Sequence, residues 1–132
     1  MSDQHDGDIA APVDWRATPA AMREILWAEF VEWVEWYVEN FEITTQVVPQ
    51  CWAEHPTLVE ELSALWTAYL ASYDIASTAT ATLPLRWLED AARQRDRLKT
   101  YVERLVCTPV KGHVALEVRR KVGEAKMPEF GD

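Results

Sequence analysis

The chain has 132 residues, about the length of one globular domain. Apolar residues make up 48% of it and charged residues 27%, which excludes a wholly disordered chain, and no run of about 18 uncharged apolar residues is present to span a membrane. Seven tryptophans, four glycines and a formal charge of −9 complete the composition. These numbers predict a small, aromatic-rich, mostly helical domain.

Charge is divided unevenly along the chain. Residues 1–60 contain twelve acidic and two basic residues, whereas residues 61–132 are nearly balanced. An acidic total disfavours general adhesion to nucleic acid or to anionic membranes, although a polarised chain can still offer a local basic surface. The alternative is that the two halves attract each other within one fold or across a dimer.

Residues 1–17 are predicted to be a flexible acidic arm. They contain four aspartates, Gly7 and Pro12, and show no apolar periodicity. The basic and apolar regions of a secretory signal are missing from this start. We therefore expect a cytoplasmic protein.

The first helix is predicted from Pro19 to Asn40, with Thr18 as a candidate N-cap and proline at the first helical position. One face of this helix is apolar and the other is acidic. The apolar face includes Leu26, Phe30, Trp33, Tyr37 and Phe41, and the acidic face includes Glu24, Glu32, Glu35 and Glu39. Trp36 falls among the glutamates, so it either packs under a neighbouring segment or anchors a partner.

Two further helices are predicted, from Pro56 to about Tyr73 and from Pro84 to about Val106, joined by a mobile Ser/Thr/Ala-rich connection over 74–83. The inward stripe of the second helix consists of Val59, Leu62, Leu65, Trp66, Tyr69, Leu70 and Tyr73. Three long segments with short links indicate an antiparallel three-helix arrangement spanning residues 18–113.

The predicted C-terminal tail, residues 114–132, is of basic and mixed character. Apolar residues alternate with polar ones over 114–122, which is the periodicity of a strand. A strand needs a partner, and the β-branched segment Ile43–Val48 is the candidate we identify. The fold prediction is therefore all-α, with either a short β-ribbon or a short helix at the C-terminal end.

Two cysteine–histidine pairs flank the second and third helices. Cys51 and His55 precede the second helix, and Cys107 and His113 follow the third. An antiparallel pair of helices would bring both pairs to the same end, where two thiolates and two imidazoles suit a structural, tetrahedral Zn²⁺ site. The alternatives are that the cysteines are small buried apolar residues or that they form a disulfide, which a cytosolic setting disfavours.

Signs of catalysis are weak. The sequence contains no GxGxxG or GxxxxGK phosphate loop and no Glu-x-x-His di-iron signature. A Cys–His nucleophile would need a third, orienting group and an oxyanion pocket, and we identify neither. We therefore predict that the protein is not an enzyme.

Four arginines share one face of the third helix, opposite its apolar residues. They are Arg86, Arg93, Arg97 and Arg104, and the tail adds Arg119, Arg120 and Lys121. This stripe could contact nucleic-acid phosphates, or its members could pair with acidic groups of the protein itself. The net charge of −9 favours the second interpretation.

A resemblance to a known family rests on several short motifs. They are Trp33-x2-Trp36-Tyr37, Cys51-Trp52-x2-His55, the run Val59-Glu60-Glu61-Leu62-Ser63-Ala64-Leu65, Trp87, and Cys107-x-Pro109 followed by Gly112-His113. Over about residues 25–113 the chain resembles a family of small uncharacterised actinobacterial proteins encoded on plasmids, phages and integrative elements. The family pattern has a tighter Cys-x-Pro-Gly-x-His, whereas Val110 and Lys111 separate Pro109 from Gly112 here. The resemblance implies a mobile-element accessory protein and supports considering these cysteines and histidines together.

The sequence thus predicts a non-enzymatic interaction module. Its acidic first helix, with Trp36, Glu32, Glu35 and Glu39, would bind a basic protein partner or a second copy of the chain. The alternative is a nucleic-acid-binding accessory protein that uses the arginine stripe and the basic tail. No membrane role is expected.

Overall fold

The computed structural model describes residues 11–74, 81–108, 110–118, 126–129 and 131. Within these residues the chain forms three helices, α1 (Ala20–Asn40), α2 (Pro56–Ser72) and α3 (Thr82–Val102), and a short 3₁₀ turn over Trp52–Glu54. No β-strand is present in the described part, and the predicted all-α fold with three helices is confirmed. None of these helices has the length and apolar character that a membrane span requires.

The helix ends differ slightly from the predicted ones. α1 begins at Ala20 because Pro19 is extended, with a ψ of 149°, and no side chain caps the helix. The Thr18 hydroxyl instead donates to the Asp14 carbonyl at 2.6 Å. α3 ends at Val102 rather than Val106, and the chain continues in a turn in which Leu105 N–H donates to the Val102 carbonyl.

α2 and α3 form an antiparallel pair. The indole N–H of Trp87, near the start of α3, donates to the Leu65 carbonyl at 3.1 Å. Further along α3, the Gln94 side-chain amide donates to the Glu61 carbonyl at 2.8 Å, one turn earlier in α2. Residue numbers increase along α3 while those of the contacted α2 residues decrease. The start of α2 and the end of α3 therefore lie at the same end of the pair.

α1 points in the same direction as α2, so the predicted antiparallel arrangement is correct for α2 and α3 but wrong for α1 and α2. Its Phe30 ring lies 5.5 Å from Trp66, and its Trp36 ring lies 5.3 Å from Tyr69, so the contacts advance together along both helices. The segment 41–55 therefore returns the chain to the starting end of the bundle. This connection delivers Cys51 and His55 to that end.

The core between the helices is largely aromatic. The largest fully buried side chains are Trp87, Tyr37 and Phe30. Each of the seven tryptophans contacts another aromatic ring; they are Trp15, Trp27, Trp33, Trp36, Trp52, Trp66 and Trp87. Buried aromatic side chains contribute large apolar areas and additional edge-to-face attraction. The tryptophan content is therefore explained mainly by packing between three helices.

The described part of the N-terminal arm packs on α1. The Asp14 carboxylate accepts the backbone N–H groups of Arg16 and Ala17, forming a turn. This turn places the Trp15 ring 5.5 Å from Trp27 and 5.6 Å from Phe30. Residues 1–10 of the predicted arm lie outside the described residues.

The segment Ile43–Val48, considered above as a strand partner, forms turns. The Thr44 carbonyl accepts the N–H groups of Val47 at 3.0 Å and Val48 at 3.1 Å, which leaves no extended ladder. In the predicted ribbon region, residues 114–118 have no regular secondary structure and 119–125 lie outside the described residues. The same holds for residues 75–80 of the predicted mobile connection.

Candidate metal centre

Both cysteine–histidine pairs meet at the end of the bundle where α2 begins and α3 has ended. Cys51 precedes the 3₁₀ turn, His55 directly precedes α2, and Cys107 and His113 follow α3. One ligand atom from each of the four side chains lies within 4.8 Å of all the others. The predicted convergence of Cys51, His55, Cys107 and His113 is confirmed.

Four of the six distances between these atoms are close to those of one tetrahedral ion, and all six are within 4.8 Å. His55 Nε2 lies 3.4 Å from Cys51 Sγ, 3.4 Å from Cys107 Sγ and 3.1 Å from His113 Nδ1, and Cys107 Sγ lies 3.8 Å from His113 Nδ1. Four ligands held about 2.0–2.3 Å from a tetrahedral Zn²⁺ are about 3.3–3.8 Å from one another. The arrangement of His55, Cys107 and His113 is therefore close to what zinc requires, with Cys51 in contact with His55 as the fourth ligand.

The first pair is held by the 3₁₀ turn and its buried tryptophan. Glu54 N–H donates to the Cys51 carbonyl at 2.9 Å, and His55 N–H donates to the Trp52 carbonyl at 3.1 Å. The Trp52 side chain is buried, with its ring 5.4 Å from Phe30. This turn explains the Cys-Trp-x2-His spacing, because it brings residues four apart into contact while Trp52 fixes the turn to the core.

The second pair is closed by a tight turn. Gly112 N–H donates to the Thr108 carbonyl at 2.7 Å, and Thr108 N–H donates to the Gly112 carbonyl at 3.3 Å. Gly112 has a φ of 77°, a conformation that favours glycine. Val110 lies in this turn and is 96% exposed, so the turn extends into solvent while Cys107 and His113 still meet.

A backbone group supports the Cys107 sulfur. Val114 N–H donates to Cys107 Sγ at 3.2 Å. The thiol also contacts the Val114 carbonyl at 3.4 Å, so the backbone of Val114 fixes the position of this sulfur. Sequence reasoning did not identify this contact, since Val114 was assigned to an alternating apolar pattern.

The ionisation of the site is set by burial and by the proximity of its members. Burial, followed by the neighbouring His113, lowers the pKa of His55, so its imidazole is neutral and able to ligate. Burial, followed by the hydrogen bond and charge interaction with Cys107, raises the pKa of the Cys51 thiol. A divalent cation would reverse this second effect, because it stabilises both thiolates. Both cysteines are free thiols here, not a disulfide.

A cavity of about 300 Å³ adjoins the cluster and reaches three of its members, Cys51, Cys107 and His113. His55 lies on the inner side and is only 2% exposed. The cavity offers a route by which an ion could reach the four ligand atoms from the surface.

The partner-binding residues predicted on α1 belong to a different element from those of the cluster. Glu32, Glu35 and Glu39 are exposed. Trp36 is 39% exposed, and its ring lies 5.9 Å from Phe41 and 5.3 Å from Tyr69. Trp36 is therefore partly packed and partly exposed to solvent.

Tyr73, predicted for the inward stripe of α2, is also 39% exposed, because it lies at the C-terminal end of that helix.

Three of the four arginines in the predicted stripe have partners within the protein. Arg97 donates to the Glu61 carboxylate at 2.7 Å, Arg93 pairs with Asp90, and the Arg104 guanidinium lies 5.7 Å from the centre of the Tyr101 ring. Arg86 is exposed, and Arg119, Arg120 and Lys121 lie outside the described residues. Sequence reasoning missed Arg95, which donates to the Tyr37 hydroxyl at 3.0 Å and ties α3 to α1.

Comparison of the chain with family models, curated proteins and solved structures found no match. The family resemblance therefore stays a prediction.

Proposed function

We propose that this chain is a non-enzymatic interaction module whose helices are cross-linked by a structural Zn²⁺ ion. The observation that carries the zinc assignment is the convergence of four ligand atoms within 4.8 Å from two segments 52 residues apart, at Cys107 and His55. Two thiolates and two neutral imidazoles neutralise a divalent cation, which suits a half-buried site.

A structural role is favoured over a catalytic one because the protein supplies four ligands. Catalytic zinc sites keep one coordination position for water or substrate, whereas structural sites are closed by protein side chains. The ion would hold the start of α2 to the segment that follows α3. In a domain of this size, such a cross-link adds the free energy of metal binding to that of folding.

Metal analysis tests the zinc assignment. The purified protein is expected to contain about one equivalent of zinc, and His113→Ala is expected to lower both zinc content and zinc affinity, because a site with three ligands binds less tightly. Val110→Ala, in the same turn but almost fully exposed, serves as the matched control and should retain zinc. Equal zinc content in the wild type and in His113→Ala would contradict the assignment.

The outer face of α1 is proposed as the interaction surface. It carries five exposed glutamates and one arginine, Arg23; the glutamates are Glu24, Glu29, Glu32, Glu35 and Glu39. A surface of one charge attracts a partner of the other charge and speeds their association. Two copies of this face would repel each other, so a basic partner is favoured over a second copy. The accessory role on a mobile element remains a prediction from the resemblance.

A defined basic peptide tests this interaction. We expect a labelled peptide of mixed arginine and lysine to bind the zinc-loaded protein, with affinity that falls as salt rises. A variant with Glu32, Glu35 and Glu39 replaced by glutamine should bind about tenfold more weakly, since three attractive charges are lost. The matched control replaces three exposed acids by their amides: Glu89 and Asp96 of α3, and Glu103 directly after it. Equal weakening by both triple variants would show that net charge, not the α1 face, governs binding.

A further inference from the structure

An exposed row of aromatic rings crosses from α1 to α2 beside the acidic face. Trp36 lies 5.3 Å from Tyr69, and Tyr69 stacks on Tyr73 at 4.5 Å. Trp36 and Tyr73, at the two ends of the row, are each 39% exposed, and Tyr69 between them is half-buried. The two ends of the row are therefore partly open to solvent, and the packing of the rings on one another and on the core holds them in place.

Carboxylates stand next to this surface. Glu32 and Glu39 lie one helical turn before and after Trp36, so their side chains neighbour it on α1. Among the described residues the ion pairs join Arg93 to Asp90 and Arg97 to Glu61, and neither involves a glutamate of α1. The negative charge beside the aromatic row is thus available to an incoming cation.

A guanidinium group matches both features together. It is planar and weakly hydrated, it stacks on aromatic faces, and it can bind a carboxylate through two parallel hydrogen bonds. A lysine ammonium is a compact, strongly hydrated charge that gains less from such a surface. The chain itself uses arginine in this way, since the Arg95 guanidinium lies 6.0 Å from the centre of the Phe41 ring.

We infer that the surface formed by Trp36, Tyr69, Tyr73, Glu32 and Glu39 binds an arginine side chain of a protein partner. The guanidinium stacks on the exposed rings and pairs with a glutamate of α1. This inference rests on the proposed function and specifies the partner's chemistry. It makes the partner an arginine-bearing segment rather than any basic segment.

Two peptides of equal length and charge test the inference, one with arginine and one with lysine at every cationic position. Titration into the zinc-loaded protein, followed by fluorescence anisotropy of a peptide label, should show about fivefold tighter binding of the arginine peptide. Tyr73→Leu and Trp36→Leu, which keep apolar area but remove the π face, should abolish that preference. Leu85→Ala, an exposed apolar residue of α3, is the matched control and should preserve it.

The outcomes separate this inference from the proposed function. Equal affinity for both peptides, with binding still weakened by the triple glutamate variant, would overturn the arginine assignment and leave a basic partner in place. Failure of both peptides to bind would overturn the two proposals together. A preference for arginine that survives in both leucine variants would place the guanidinium elsewhere and overturn the site. The midpoint of urea unfolding of each variant checks that the fold is retained.

Discussion

His55 Nε2 lies 3.1 Å from His113 Nδ1, although 58 positions separate the two residues in the chain. At that distance two neutral rings share a single proton between their nitrogens, whereas two protonated rings repel each other. A metal ion would satisfy both lone pairs at once, and the two cysteine sulfurs would complete its coordination. The pair of nitrogens thus makes the end of the bundle sensitive to metal and to protons.

Removal of the metal is expected to loosen two distant segments together. Chelation should increase amide hydrogen exchange at 51–58 and at 103–114, because the same ion would be bound by residues of both segments. Exchange in the middle of α2, around buried Leu62 and Leu65, should change much less, since aromatic packing holds that region. Mass spectrometry of exchanged peptides measures this pattern. Loosening confined to one of the two segments would contradict a shared ion.

Acid is expected to weaken both metal binding and the metal-free fold. Protons compete with zinc for sulfur and imidazole, so zinc affinity falls as pH falls. In the metal-free protein the pKa of His55 lies below its ordinary value of 6.5, so the unfolded chain binds a proton there more readily than the folded chain. The free energy of unfolding should therefore decrease as pH falls through and below 6.5.

Urea denaturation of the metal-free protein at several pH values checks this expectation. His55→Gln removes the titrating group, and its stability should depend less on pH over the same range. A metal-free wild type that becomes more stable on acidification between pH 7 and pH 5 would show that the sign is wrong.

The metal cluster could be predicted from the sequence, because its prediction depends only on the order of the helices and on the residue types beside them. Once α2 and α3 are antiparallel, the chain positions of Cys51, His55, Cys107 and His113 place them at one end. The direction of α1 could not be predicted from the sequence, because it depends on the path of segment 41–55. In that segment the Thr44 carbonyl accepts the N–H groups of Val47 and Val48, so a β-branched run forms turns instead of a strand. The exposure of Tyr73 was likewise missed, because periodicity alone does not show where a helix passes beyond the core.

Two tryptophans three residues apart on α1 should differ in their effect on stability. Trp33 is 8% exposed and stacks on Tyr37 at 5.1 Å, so Trp33→Ala should cost about 3–5 kcal/mol in the free energy of unfolding. Trp36→Ala should cost less than half of that, about 1–2 kcal/mol, because much of its side chain is already in water. Denaturant titration measures both. Equal losses would assign Trp36 to the core and weaken its role as a binding residue.

Binding to duplex DNA is expected to be weak, with a Kd above about 10⁻⁴ M at physiological salt. Arg93 and Arg97 pair with Asp90 and Glu61, and the chain carries a net charge of −9 that repels phosphate. Electrophoretic mobility and salt-dependent titration measure the affinity. Three results together would establish the arginine stripe as the functional surface. Binding would be tight and would strengthen as salt falls. It would be lost in an Arg93→Ala/Arg97→Ala double variant but kept when Arg16 and Lys99 are replaced by alanine. Such a result would displace the acidic face of α1, because phosphate contacts by these two arginines require them to leave their carboxylates.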